Sequence, residues 1–184
     1  MSNTRMYSRI DVTQAINRVA GHLNDQYRGR ISESDPLVFL VVLKGALPFY
    51  VYLSERLDVP NVVEFITVKS FDEYSAQRIE GGPNIDIPVD VLANLAARHV
   101  VILDDICDTG KTLALVKERV LQAHAKSVKV VTLFYNNRIE EPGILLDYYA
   151  MPTNGKFIYG FGLDSHRGIG RNLRDIYVLE NLNG

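Results

Sequence analysis

The stretch VVILDDICDTGKTL, Val100 to Leu113, constrains the fold of this chain more than any other. An apolar run leads into two adjacent carboxylates, Asp104 and Asp105; a third, Asp108, follows, and the stretch closes with Thr109, Gly110, Lys111 and Thr112. A continuous apolar run of strand length, here His99 to Leu103, predicts a strand buried on both faces, as in a parallel sheet. Carboxylates packed at the end of such a strand repel one another and lose hydration, so an occupant that uses them is expected. In open parallel sheets ligands sit beyond the carboxyl ends of the strands, where strand hands over to helix. This stretch lies at such a point.

The neighbouring segments agree with that architecture. Asp11 followed by Gln14 predicts a capping box, and Val12, Ala15, Ile16, Val19, Ala20 and Leu23 mark one helical face. Val38 to Leu43 is a second continuous apolar run, ending at Lys44-Gly45, and Ala46 to Leu57 reads as its return helix, with Pro48 tolerated in the first turn. Strands are expected at Val62 to Val68 and Val128 to Phe134, with a helix from Thr112 to about Ala123 between them. Short extended segments follow near Tyr148, over Phe157 to Leu163 and over Ile176 to Glu180. Strands alternating with helices predict an α/β domain with a mainly parallel sheet. A chain of 184 residues suits one domain. Ser70 to Pro88 breaks the pattern, with no sustained period and a Gly81-Gly82-Pro83-Asn84 run. It reads as a lid or binding loop, or else as a disordered connector.

Composition excludes several classes. The formal net charge is −2, which does not favour nucleic acid or a membrane surface as partner. The single cysteine, Cys107, excludes an intrachain disulfide framework and fits a reducing compartment. No secretory h-region is visible and no apolar run approaches a membrane span, so a cytoplasmic location is expected.

The Thr-Gly-Lys-Thr tail invites a P-loop reading, but Asp105 occupies the position where a Walker A loop needs its first glycine. A carboxylate there would face nucleotide phosphates, so an ATPase is not expected. Phosphate chemistry of another kind still fits. Residues Asp108 to Thr112 offer backbone N–H groups, two hydroxyls and a helix N-terminus to one phosphate group. Asp104 and Asp105 are placed to hold a diol, or a divalent metal through it. A phosphorylated sugar bound with Mg²⁺ satisfies both halves. In the competing reading Asp108 or Thr109 caps the next helix and the acid pair meets distant arginines.

The stretch resembles the phosphoribosyl pyrophosphate motif of type I phosphoribosyltransferases. VLKGALPF, FITVKSF and KFIYGFGLD followed by RNL resemble, in order and spacing, the hypoxanthine-guanine phosphoribosyltransferase family, over about Val38 to Leu179. The resemblance implies a mainly parallel twisted sheet flanked by helices, a small hood from the chain ends, and a single domain with a flexible lid at about 70–88. It implies transfer of a phosphoribosyl group from phosphoribosyl pyrophosphate to hypoxanthine or guanine, with Mg²⁺ as cofactor, giving IMP or GMP and pyrophosphate. Small-molecule substrates and a dimer or tetramer are implied; nucleic acid and membrane are not.

The resemblance also distributes roles. Asp108 is implied as general base near purine N7. Asp104 and Asp105 contact the ribose hydroxyls and metal, and Thr109, Gly110, Lys111 and Thr112 cradle the 5′-phosphate. Lys44, Gly45 and Arg171 contact pyrophosphate, with the Leu43–Lys44 peptide often cis in relatives. Phe157 stacks on the base, Ile158 reads its edge through the backbone, and Asp164 lies near the base and a second metal. Ser70 lies on the lid beside Phe71, where relatives carry tyrosine. SHRGIG is one residue longer than usual, which leaves Arg167 competing with Arg171 for pyrophosphate. Asn136 stands where relatives place a lysine that donates to the 6-oxo group; Arg138 could substitute, or Asn136 and Asn137 could form only a turn. A transferase for xanthine, adenine or a pyrimidine, or a non-catalytic sugar-phosphate sensor, are the competing functions.

Overall fold

In a computed structural model, residues 4–69, 84–85, 87–136, 146–165 and 168–179 are described. In chain order the elements are β1 (Thr4–Tyr7), α1 (Arg9–Tyr27), β2 (Leu37–Leu43), α2 (Ala46–Ser54), β3 (Asn61–Lys69), β4 (Asn84–Ile85), α3 (Val89–Leu95), β5 (His99–Cys107), α4 (Lys111–Gln122), β6 (Ser127–Tyr135), β7 (Tyr148–Pro152), β8 (Ile158–Tyr159) and β9 (Ile176–Val178). The large sheet has the order β4-β3-β2-β5-β6-β7. Its neighbours run parallel except β3 and β4.

The uninterrupted apolar runs become the central strands because both sheet faces are covered. Along β2, Leu37, Phe39 and Val41 face one core with α1 and α2, while Val38, Leu40 and Val42 face the other with α3 and α4. Each such side chain contributes about 1.5–3 kcal/mol by burial. The expected α1 face, Val12 to Leu23, is buried throughout.

Some boundaries differ from expectation. The box that starts α1 is built by Ser8 and Asp11, not by Asp11 and Gln14. Ser8 Oγ accepts from the Asp11 N–H, and the Ser8 N–H donates to Asp11 Oδ2. Asp11 is thus the third helical residue, with its carboxylate in the first turn, where the helix dipole favours it. α2 ends at Ser54 rather than Leu57, and α3 carries no strong period and was not expected. Of the segment near 70–88, only Asn84, Ile85, Ile87 and Pro88 are among the described residues.

The chain ends build a second, antiparallel sheet, β1-β9-β8. It is tied to the main sheet by the Tyr7 hydroxyl donating to the Pro152 carbonyl at 2.7 Å, and to α1 by the Arg9 N–H donating to Asp175 at 2.7 Å. The α/β class, the parallel sheet and the hood agree with the sequence reading. No helix among the described residues is long and apolar enough to cross a membrane.

Candidate active site

β5 does not stop where its apolar run stops. It continues through both acids to Cys107, pairing Asp104 with Thr132, Ile106 with Phe134 and Cys107 with Tyr135 of β6. The carboxylates are therefore part of the strand. The face alternation slips at them: Val101 and Leu103 face the α1–α2 core and so does Ile106, while Cys107 faces the other core.

Asp104 is buried, and its Oδ1 accepts from the Asp105 N–H at 2.9 Å. Burial, then the neighbouring Asp105 charge, pushes its carboxyl well above the usual carboxylate value. Burial raises Asp105 too, partly offset by its hydrogen bond with Asp104, the Ile106 N–H and the Arg171 charge. Burial, followed by the charges of Asp104 and Asp108, pushes the Cys107 thiol up to about 12, so it is not a nucleophile at neutral pH.

The loop after β5 reaches α4 through Gly110, whose φ of 79° favours glycine. Gly110 is the N-cap and offers no side chain to cap this helix. The reading in which Asp108 or Thr109 serves as helix cap is thus corrected: a left-handed glycine makes the turn, and the N-terminal dipole faces the loop. Asp108 instead accepts a hydrogen bond from Asn136 Nδ2 at 2.9 Å.

On the other side of Asp105 lies the strand–helix junction of β2 and α2. The Leu43–Lys44 peptide is cis, Lys44 is exposed and Gly45 is buried. A β-carbon on Gly45 would lie 1.5 Å from Asp105 Oδ2 and 3.5 Å from Arg171 Nη1, so only glycine lets the acid and the junction meet. Arg171 Nη2 pairs with Asp164 Oδ1 at 2.8 Å, and its Nη1 donates to the Gly162 carbonyl at 2.6 Å. Gly162 has φ 98°, and a β-carbon there would stand 2.3 Å from the Gly45 carbonyl oxygen. The fold thereby gathers Gly45, Asp105, Asp164 and Arg171 into one cluster.

Phe157 follows the turn after β7 and is 39% exposed, enough to leave part of the ring for a ligand, whereas Ile158 is buried in β8. The Thr153 N–H donates to the Tyr135 carbonyl at 2.9 Å, which sets the approach to Phe157 beside the end of β6 that carries Asn136. Ser70, Phe71, Asn137, Arg138 and Arg167 lie outside the described residues. Sequence reasoning missed Gly162 as the contact between hood and junction, although its place in GFG was a usable signal.

Residues 6–166 match the phosphoribosyl transferase domain family. The hypoxanthine-guanine phosphoribosyltransferase of Streptococcus thermophilus is 32% identical over 175 residues, which covers 95% of this chain and 92% of that one. This chain belongs to the hypoxanthine-guanine phosphoribosyltransferase family. Among solved structures, the hypoxanthine phosphoribosyltransferase of Trypanosoma cruzi superposes with a TM-score of 0.80 at 29% identity, covering 96% of this chain and 95% of that one. The HGPRT-ase of Leishmania tarentolae, in complex with GMP, gives 0.84 at 27% identity, covering 98% and 99%.

As a member of this phosphoribosyltransferase family the chain is expected to work with a divalent metal, and the acid pair suits one. Asp104 and Asp105 are adjacent, raised by desolvation and set against each other, so a cation nearby would relieve both penalties. No group of three or more His, Cys, Asp or Glu side chains converges as a metal cage among the described residues. Mg²⁺ characteristically takes one or two carboxylates and completes its shell with water and substrate oxygens, which matches an incomplete set. Asp164 already holds Arg171, so it would share its carboxylate between arginine and metal.

Proposed function

We propose that the chain acts as a single purine-salvage transferase domain, moving the phosphoribosyl group of phosphoribosyl pyrophosphate to hypoxanthine or guanine and giving IMP or GMP and pyrophosphate. The observation that carries this is the sequence of chemistry along β5 and its loop: a buried acid next to a half-buried one, an exposed acid, then a helix start turned by Gly110. Few ligands need a diol-binding pair beside a phosphate cradle, and a phosphoribosyl group needs both. The family membership and the printed names of the relatives support the same reading.

In this reading Thr109, Gly110, Lys111 and Thr112 hold the 5′-phosphate, with backbone N–H groups and the α4 dipole opposing its charge. Asp104 and Asp105 orient the ribose hydroxyls and would hold Mg²⁺. A metal held there would supply positive charge against the pyrophosphate oxygens. Lys44, the Gly45 backbone and Arg171 receive the pyrophosphate; Gly162 and Asp164 aim the Arg171 guanidinium. Phe157 stacks on the purine, and Ile158 reads its edge through the backbone. The bond from C1 to the pyrophosphate oxygen breaks, the bond from C1 to purine N9 forms, and Asp108 takes the N7 proton.

Exposed Leu47 and Val51 on α2, together with exposed Phe65 of β3, which packs against Tyr50 of α2, support a homo-oligomer, dimer or tetramer. The lone buried Cys107 is compatible with work in the cytoplasm.

A second reading, a transferase of the same fold for adenine, xanthine or a pyrimidine, is kept by Asn136 in place of a donor-only lysine. Turnover with phosphoribosyl pyrophosphate, Mg²⁺ and each of hypoxanthine, guanine, xanthine, adenine and uracil separates the two. The expected result is nucleotide from hypoxanthine or guanine, abolished by EDTA. Preferred turnover of another base supports the second reading, and tight sugar-phosphate binding without turnover of any base points to a sensor.

A further inference from the structure

Between β8 and Asp164 the chain places three successive residues in the left-handed region: Gly160 at φ 107°, Phe161 at 47° and Gly162 at 98°. Glycine takes this conformation at little steric cost. A phenylalanine does not, and such a residue persists only where its surroundings hold it. Phe161 is also buried, so what it is held against is informative.

The turn lies along one face of α2. A β-carbon on Gly162 would stand 2.9 Å from Pro48 Cδ, and the Phe161 ring meets the Tyr52 ring at a centroid distance of 5.3 Å and an angle of 47°. Pro48 and Tyr52 are four residues apart on the helix and hence neighbours on its surface. Tyr52 is itself fixed. Its hydroxyl accepts from Arg9 Nη2 at 2.8 Å, and the Arg9 and Arg56 guanidinium groups lie 5.4 and 5.9 Å from its ring centre. At the other end of the turn, a β-carbon on Gly160 would collide with the Asp175 carbonyl oxygen, and Asp175 Oδ1 accepts from the Arg9 N–H. Arg9 thus ties together Tyr52 and Asp175, two residues against which the turn packs.

The backbone of the same turn carries Arg171. The Phe161 N–H donates to the Leu173 carbonyl at 2.8 Å and the Gly162 N–H to the Arg171 carbonyl at 2.9 Å, while the Gly162 carbonyl accepts from Arg171 Nη1. Both the main chain and the side chain of Arg171 therefore take their position from Gly162, and Gly162 takes its own from the anchored ring beside it. We propose that Phe161, clamped on Tyr52, is a positioning residue for pyrophosphate: it holds the turn that aims Arg171 and touches no substrate itself. This rests on the reading of Arg171 as a pyrophosphate contact. Without the ring contact, a residue other than glycine at 161 has less reason to stay left-handed. The fraction of chains with Arg171 aimed then falls, and the affinity falls with it.

The test measures the KM for phosphoribosyl pyrophosphate and the inhibition constant of pyrophosphate, both with Mg²⁺. Beside them stands the dissociation constant of IMP, which needs no pyrophosphate contact. Phe161→Leu and Tyr52→Leu are made in the parent chain and in Arg171→Gln. Tyr52 is half-buried, so its variant avoids the folding risk of a change in the core. Each of the two is expected to weaken pyrophosphate about 2- to 10-fold, the equilibrium factor that one aromatic pair holds, with IMP within about twofold. Tyr52→Phe keeps the ring and should stay near the parent. Arg171→Gln alone should weaken pyrophosphate at least about tenfold, because a charged partner is lost. In that background neither ring variant should add to the loss, since the group they position is gone. Equal weakening of IMP, an unchanged pyrophosphate affinity in both ring variants, or the same further loss without Arg171 overturns the inference and leaves the role of Arg171 standing. Arg171→Gln that binds pyrophosphate as the parent does overturns that role instead.

Discussion

Asp108→Asn is expected to lower turnover by about 10²- to 10⁴-fold, the usual contribution of one positioned acid–base group, with binding of phosphoribosyl pyrophosphate nearly unchanged. The reason lies in where the loop divides its labour. Asp108 is exposed and bonded to Asn136, whereas the groups assigned to the sugar phosphate are Asp104, Asp105 and the turn made by Gly110. An asparagine at 108 has the same shape and keeps an oxygen that can accept from Asn136 Nδ2, so the loop has no reason to move. What it loses is the capacity to take a proton. Calorimetric binding of phosphoribosyl pyrophosphate beside single-turnover rates distinguishes the cases, and a collapse of binding would remove the general-base role.

Asp104→Asn is expected to work in opposite directions on stability and on function. Burial and the Asp105 charge hold the Asp104 carboxyl well above its ordinary value of 3.8. The folded chain therefore keeps its proton to higher pH than the unfolded chain does. Stability is lost as pH rises from that ordinary value through the raised one, so at neutral pH the folded chain carries a penalty for this group. Asparagine has no such penalty, and its oxygen can still accept from the Asp105 N–H. A gain of about 1 kcal/mol would raise Tm by about 2–4 °C in a chain of this size. The variant's advantage should be greater at pH 8 than at pH 5. Affinity for phosphoribosyl pyrophosphate with Mg²⁺ should fall at least about tenfold, because a charged partner is lost. Thermal melts at the two pH values, paired with binding, check both halves; a lower Tm at neutral pH would show that the carboxylate supports the fold instead of straining it.

The parts of this site that were legible in the sequence are those whose chemistry is local. The apolar run, the acid pair and the Gly110 turn follow one another in a single stretch, so strand, loop and helix start could be read together. The buried face of α1 was equally legible, since a helical period needs no knowledge of its partner. The start of α1 was misplaced because Ser8 and Asp11 make one box and Asp11 with Gln14 suggests another; only the geometry of the Ser8 side chain decides between them. The extent of β5 was hidden because Asp104 and Asp105 look like a strand end, while pairing with β6 holds them in the ladder. Contacts set by register were hidden altogether. Asn136 meets Asp108 because Tyr135 pairs with Cys107, and Gly162 meets Gly45 because the hood closes over the junction of β2 and α2. β9 was legible as the extended segment at Ile176, but its partner across almost the whole chain, the four-residue β1, is too short to announce itself.

The most direct measurement is a product balance from hypoxanthine, phosphoribosyl pyrophosphate and Mg²⁺, counting IMP and pyrophosphate in the same reaction. Equal amounts of the two, with no ribose 5-phosphate, are predicted for a site that positions purine N9 against C1 and keeps water out. Pyrophosphate released with ribose 5-phosphate and no IMP, or no consumption of phosphoribosyl pyrophosphate at all, would contradict the assignment of this chain as a purine phosphoribosyltransferase.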